Sequence, residues 1–248
     1  MANLETLYGL HAVQALLKSA PQRARELWVL RGRRDQRLAK ILQLAESHGI
    51  PQKVVSRREL DAAAADGNHQ GVALRAEVGQ LFDERYLLAL LEEPARPPFL
   101  LVLDGVTDPH NLGACLRSAE AAGVDAVVVP KDNSAGINAT VRKVACGAAE
   151  VLPLIPVTNL SRTLKALQAR SLWVMGAAGE ASRSIFETDL KGPLALVLGA
   201  EGKGLRRLTR ELCDGLVNIP MAGTVSSLNV SVATGICLFE AVRQRAAP

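Results

Sequence analysis

The sequence predicts an α/β protein of two domains, a small one followed by a larger parallel-sheet domain. Three observations carry this. From residue 99 onward, short apolar runs rich in Val, Leu and Ile alternate with helical stretches. Ahead of residue 78, strand-like and helical patterns alternate on a smaller scale. Between them lies "EEPARPP", whose Pro94, Pro97 and Pro98 disfavour regular structure and stiffen the join. The expected boundaries are 1–77, a linker over 78–98, and 99–248. At 248 residues and 48% hydrophobic, the chain can bury the core that such a design needs.

In the first part, "YGLHAVQALLKSA" has helical spacing, with Leu10, Val13, Leu16 and Leu17 on one face. "ELWVL" reads as a strand. "DQRLAKILQLAESHG" reads as a helix, capped by Asp35 and closed by Gly49. "PQKVVS" is a short strand, "RRELDAAAA" a helix and "QGVALRAE" a strand. The linker "VGQLFDERYLLALLEEPARPP" starts with a short amphipathic helix. In the second part, "FLLVLDGV", "DAVVVP", "EVLPLIPV", "LWVMGAAG", "LALVLGAE" and "LVNIPMA" are the strands. "NLGACLRSAEAAG", "NATVRKVACGA", "NLSRTLKALQA", "GLRRLTRELCD" and a final helix through "ICLFEAVRQR" separate or follow them. Near-continuous apolar strands imply a sheet covered on both faces, and in such sheets ligands bind beyond the C-terminal strand ends.

Composition narrows the function classes. The four cysteines and four histidines are scattered, with no C-x-x-C, so no metal site is expected. "MANLETLYGLHAV" lacks the basic and apolar regions of a signal peptide, and no apolar run reaches spanning length. A cytoplasmic protein with reduced thiols and no membrane partner is expected. Residues 1–76 hold 12 Lys/Arg against 7 Asp/Glu, a net +5, whereas the remainder is at −1. Arg31, Arg33, Arg34, Arg37 and Lys40 form the densest cluster, either a solvated helix face or a phosphate-contacting surface. Aromatics are only 3%, so a chain that held a nucleic-acid base would need a way other than an aromatic stacking platform.

Three polar clusters follow strands in the second part. In "VTDPHNLGACLRSAEAAG", Asp108 suits an N-cap and Pro109 the first helical position. Asn111 sits at the helix mouth. Arg117, six residues on among apolar neighbours, either forms a buried ion pair or grips an anion. In "AEGKGLRRLTREL" the glycines do not fit Walker A, because Leu205 and Arg206 follow Gly204, nor G-x-G-x-x-G, because Arg207 stands where the third glycine belongs. What remains is a loop of close backbone approach carrying Glu201, which otherwise reads as a solvated turn residue. In "SSLNVSVATG", Ser226 or Ser227 can cap the last helix, with Asn229 one turn inside it. Asn229 is a poor helix former with an amide to spare for a ligand or backbone. Ser231 and Thr234 have no assigned role.

Together and in this order, "NLGACLRSAEAAG", "LVLGAEGKGL" and "IPMAGTVSSLNVSVATGICLFE" resemble the three motifs of the SpoU/TrmH branch of the SPOUT methyltransferases. The resemblance runs through residues 99–245 with no departure at the motif positions. "YGLHAVQALL" and "HQGVAL" resemble the small substrate-binding domain, similar to ribosomal protein L30e, that many members carry. The resemblance implies a Rossmann-like sheet with a C-terminal trefoil knot, a topology the general rules exclude in most chains. It also implies an S-adenosylmethionine pocket in the knot and a homodimer through the C-terminal domain. The members most similar to this chain methylate a guanosine ribose of 23S rRNA. Another tRNA or rRNA 2′-O-ribose substrate, or a non-catalytic RNA-binding protein, are the alternatives.

Carried over residue by residue, the resemblance implies cofactor contacts at Gly199, Ile219, Met221 and Leu228, with Gly199 making room for the ligand. It implies catalytic roles for Asn111, Arg117, Glu201, Ser227 and Asn229. A guanidinium stays protonated, so Arg117 is better suited to holding a phosphate and developing negative charge than to removing a proton. A base methyltransferase with a cysteine nucleophile is rejected, because Cys115 and Cys146 lie in apolar helical stretches without a basic partner.

Overall fold

The computed structural model of the chain describes residues 4–65, 67–79 and 82–246. It divides into two compact units, one of Met1–Gln80 with Cys146–Val151 and one of Leu81–Ala145 with Leu152–Pro248.

The first unit runs β1 (Leu4–Tyr8), α1 (Leu10–Ser19), a short 3-10 turn, β2 (Ala24–Leu30), α2 (Gln36–Ser47), β3 (Gln52–Val55), α3 (Arg57–Ala63) and β4 (Val72–Glu77). Its sheet has the order β1-β4-β2-β3, with β2 and β3 parallel and the other pairs antiparallel. One face buries Leu27, Val29, Val72 and Leu74 against Val13, Leu16 and Leu17 of α1 and against Leu38 and Ile41 of α2. Asp35 caps α2 by accepting from the backbone N–H of Arg37 and Leu38. Ser56 and Glu59 form a capping box on α3. β1 is absent from the sequence expectations. Only Leu7 of "LETLY" is buried, so this edge strand has almost no apolar signature.

The "HQG" turn ahead of β4 is held by side chains. His69 Nδ1 accepts from the Gly71 N–H at 2.9 Å, so Nε2 carries the proton that faces Asp61 Oδ1, also at 2.9 Å. Gln70, at φ 47, accepts from the Leu10 N–H through its side-chain oxygen.

The second unit begins within the expected linker. α4 (Glu84–Leu90) is followed by β5 (Phe99–Asp104), α5 (Pro109–Ala121), β6 (Ala126–Pro130) and α6 (Ala139–Ala145). After α7 (Ala148–Val151), a segment of the first unit, come β7 (Leu154–Val157), α8 (Leu160–Gln168), β8 (Trp173–Ala177), β9 (Leu194–Gly199), α9 (Arg207–Glu211), β10 (Gly215–Val217) and α10 (Val230–Ala246). The sheet is parallel throughout, in the order β10-β8-β9-β5-β6-β7. Leu100, Val102, Val128, Val174 and Val197 pack with the leucines of α8 and with Leu87 and Leu91 at and beyond α4. On the opposite side α10 lies against α5 and β9, and α5 against α6.

Several expected elements have other limits here. "NATVRKVACGA" is not one helix: Cys146 at φ 51 and Gly147 at φ 99 end α6 before α7, and α7 counts with the first unit. Cys146 therefore lies outside a helix. "EVLPLIPV" is a strand only from Leu154, because Glu150 and Val151 belong to α7. "LVNIPMA" pairs as β10 only through Val217. α10 starts at Val230, so residues 226–229 precede it and neither Ser226 nor Ser227 is its first-turn cap.

α5 and α6 cross at Gly113. A Cβ there would lie 2.7 Å from Val144 Cβ and 2.9 Å from the Val141 carbonyl oxygen. Backbone and branched carbon cannot retreat as a flexible chain end can. Gly113→Ala is expected to destabilise the protein by about 1–3 kcal/mol despite the better helix propensity of Ala. A urea midpoint equal to or above that of the native chain would refute this crossing.

Candidate active site

A cavity of about 410 Å³ opens at the C-terminal ends of β8, β9 and β10. Leu198, Val217 and Leu228 give it apolar walls, and the loop 199–205 closes one side. The loop doubles back on itself. The Gly204 N–H donates to the Ala200 carbonyl at 2.9 Å, with Gly202 at φ 75 and Gly204 at φ 65. The return leg crosses directly over Gly199. A Cβ at Gly199 would overlap the Gly204 carbonyl carbon and the Leu205 nitrogen. Glycine is thus required at 199 by the chain's own backbone, a stronger reason than space for a ligand.

The base of the loop is clamped. Asp104, buried at the end of β5, accepts from the backbone N–H of Arg206 at 3.0 Å and from its Nε at 2.5 Å. The Arg206 guanidinium remains half exposed. Sequence reasoning passed over this pair; the signal was an aspartate closing an otherwise apolar strand, "LLVLD".

Beside the loop, four side chains form one directed line of hydrogen bonds. Ser231 donates twice to Asn229 Oδ1, from its N–H at 2.9 Å and its hydroxyl at 2.6 Å. That turns Asn229 Nδ2 towards Asn111, whose Oδ1 accepts at 2.9 Å. Asn111 Nδ2 in turn donates to Glu201 Oε2 at 3.1 Å. The line joins α5, the 199–205 loop and the start of α10, and it ends on a carboxylate. Each amide has its oxygen and one N–H committed, and each retains a second N–H. Asn229 also supplies the carbonyl for the Ala233 N–H, so it stands at the N-cap position of α10. Thr234, one turn on, donates to the Val230 carbonyl and meets Cys115 Sγ at 3.4 Å. The two motif residues without an assigned role therefore have structural partners, Ser231 in the line and Thr234 at the α5–α10 seam.

Of the residues expected to be functional, Gly199, Glu201, Ile219, Met221, Ser227 and Leu228 all line the cavity. Asn111 and Asn229 adjoin it through Glu201. Arg117 lies six residues beyond Asn111, about 9 Å further along α5, and is exposed, so it is not a buried ion pair. In the first unit, Arg31, Arg34, Arg37 and Lys40 are exposed. Arg33 bonds to Asp35 Oδ2 at 2.6 Å and lies over Gly71. That bond and the N–H of Leu38 hold the Asp35 carboxyl below its ordinary range.

Three of the four thiols are held in the protonated form by their surroundings. Burial raises Cys115 to about 11, with Thr234 partly opposing it. Burial raises Cys237 to about 12, and burial with Asp214 and Asp104 nearby raises Cys213 to about 12. None of these three is a thiolate nucleophile near neutral pH. Among the described residues no group of three or more His, Cys, Asp or Glu is placed to hold a metal ion.

The line of hydrogen bonds has a direct test. In Asn229→Asp an oxygen replaces the amide that donates to Asn111, next to a carboxylate-terminated chain. A loss of about 1–3 kcal/mol at neutral pH is expected. The deficit narrows as pH falls towards about 4, because a protonated Asp can donate again. A deficit independent of pH in thermal melts would show that the donor direction is immaterial.

The same architecture and the same motifs recur in known proteins. The SpoU rRNA Methylase family profile matches residues 98–239, and a profile described as RNA 2′-O ribose methyltransferase substrate binding matches residues 6–80. The 23S rRNA (guanosine-2′-O-)-methyltransferase RlmB of Pseudomonas putida is 60% identical over 99% of this chain and 98% of its own length. Its Escherichia coli K12 counterpart is 58% identical over 97% of this chain and 99% of its own. Among solved structures, the SpoU methyltransferase AviRb from Streptomyces viridochromogenes, in complex with AdoMet, superposes with a TM-score of 0.77. It has 25% identity and covers 98% of this chain and 91% of its own. With its parallel sheet, its strand-end cavity and these matches, the chain belongs to the SpoU rRNA methylase family.

Proposed function

We propose that the protein transfers a methyl group from S-adenosylmethionine to the ribose 2′-oxygen of a guanosine in 23S rRNA. The observation that carries this is the joining of three sequence motifs around one cavity, by way of the Ser231–Asn229–Asn111–Glu201 line. Relatives about 60% identical over nearly the whole chain support the substrate. The cavity volume falls in the range of small-molecule sites, and its apolar walls suit an adenine ring. Gly199, Ile219, Met221 and Leu228 would hold the cofactor there. Bound S-adenosylmethionine supplies an electrophilic methyl carried on a sulfonium.

The chain's own residues orient the acceptor. Asn111 and Asn229 each keep one N–H for a ribose or phosphate oxygen, and their committed bonds keep these donors from turning away. Ser227, exposed at the cavity edge, adds a hydroxyl on the same side. Glu201 anchors the line and the loop that carries it. Arg117 holds a substrate phosphate and stabilises negative charge developing on the attacking oxygen. The proton leaves to that phosphate or to water. Arg31, Arg34, Arg37 and Lys40 hold RNA phosphates further from the reaction.

The reading includes a trefoil knot and a homodimer. The chain passes from β10 along the cavity at 219–228 and returns as α10 to α5 and β9, which supports the knot. Val232, Ile236 and Phe239 share one face of α10, and Val232 and Phe239 are about half exposed, which supports a dimer through this helix. A cytoplasmic site of action goes with four free thiols. No helix among the described residues is long and apolar enough to cross a membrane.

Mapping 2′-O-methylation in 23S rRNA from cells lacking the protein tests the activity. One guanosine is expected to lose its mark and to regain it when the RNA is treated with protein and S-adenosylmethionine. An unchanged map overturns the assignment. For the dimer, light scattering should give twice 26.4 kDa for the native chain and 26.4 kDa for Phe239→Glu. Equal masses for the two would remove α10 from the interface.

A further inference from the structure

Four charged side chains line the cavity: Glu180, Glu201, Lys203 and Arg210. Glu201 is committed to Asn111. Glu180 and Arg210 form an ion pair with each other. Glu180 lies three residues beyond the end of β8, and Arg210 is on α9, so the pair ties two separate elements across the cavity wall. Both side chains remain about half exposed, at 56% and 44%. An ion pair in such a setting contributes little to stability, so its place in the wall calls for another explanation.

We propose that Glu180 and Arg210 form the subsite for the amino-acid end of S-adenosylmethionine, Glu180 taking the α-ammonium and Arg210 the α-carboxylate. The inference rests on the adenosylmethionine reading above and adds residues to it. That ligand has two unlike ends. Its adenine needs apolar walls and backbone partners, which Leu198, Val217, Ile219 and Leu228 provide. Its other end is a zwitterion and needs one acid and one base a short distance apart. Glu180 and Arg210 meet that need, and they already neutralise each other while they wait. Binding exchanges one protein ion pair for two pairs with the ligand, so neither state leaves an uncompensated charge in the wall. The planar guanidinium can take the carboxylate in a two-point grip that an ammonium could not reproduce.

Calorimetry with two probes tests this. S-adenosylhomocysteine carries the amino-acid end, whereas 5′-methylthioadenosine keeps the adenosine and the sulfur but lacks it. Glu180→Gln and Arg210→Gln are each expected to weaken S-adenosylhomocysteine about tenfold and to leave 5′-methylthioadenosine within about twofold of the native value. Retained 5′-methylthioadenosine binding also shows that the variant cavity is folded. Equal losses on both probes would place the pair at the adenosine, for example on the ribose hydroxyls, and overturn the proposal. No loss on either would remove the pair from the ligand altogether. If the native protein binds neither probe, the adenosylmethionine reading itself fails.

Discussion

The site depends on the direction of one short line of hydrogen bonds. The backbone N–H of Ser231 can only donate, and this sets which end of the Asn229 amide faces Asn111. Asn111 must then present its nitrogen to Glu201. An amide placed the other way would set oxygen against oxygen, an arrangement that loses the bond and leaves a repulsion in its place. Three segments far apart in the chain are thereby held in one geometry by side chains that are only partly buried. The second N–H of each asparagine is left where a substrate oxygen can use it.

Backbone constraints make that line possible. The 199–205 loop has to fold back over β9 so tightly that position 199 tolerates no side chain. Asp104 then fixes the return leg through Arg206. Glu201 lies in this loop, so its reach to Asn111 is set by the backbone crossing at Gly199 and by the Asp104–Arg206 clamp. On the other side, Thr234 and Cys115 meet one turn below the asparagines and hold α5 beside α10. The pairing of Asn111 with Asn229 continues the same seam.

Much of this was legible in sequence. The alternation of β-branched runs with helical stretches after residue 99 marks a covered parallel sheet, since both faces of each strand must be apolar there. Asp35 and Asp108 were readable as caps because capping is a local matter of a few residues. β1 was not readable, since an edge strand with one buried residue carries no periodic signal. The break at Cys146 and Gly147 escapes sequence reading because a positive φ at a non-glycine residue is a tertiary outcome. Asn229 reads as a residue one turn inside the last helix but stands at the helix start, and that difference in the boundary hid its function as a cap.

By itself the sequence determined the fold class, because hydrophobic periodicity and local capping follow from nearest neighbours. It also carried the motifs by which the family is recognised. Only the tertiary structure decided why Gly199 is glycine, which way the asparagine amides point, that Asp104 holds Arg206, and that Glu180 faces Arg210. Each of these joins positions that are distant in sequence, from 5 residues apart at Gly199 and Gly204 to 118 at Asn111 and Asn229. A hydrogen bond or a close backbone crossing depends on tenths of an ångström between such partners, and no local pattern of residue types encodes that distance.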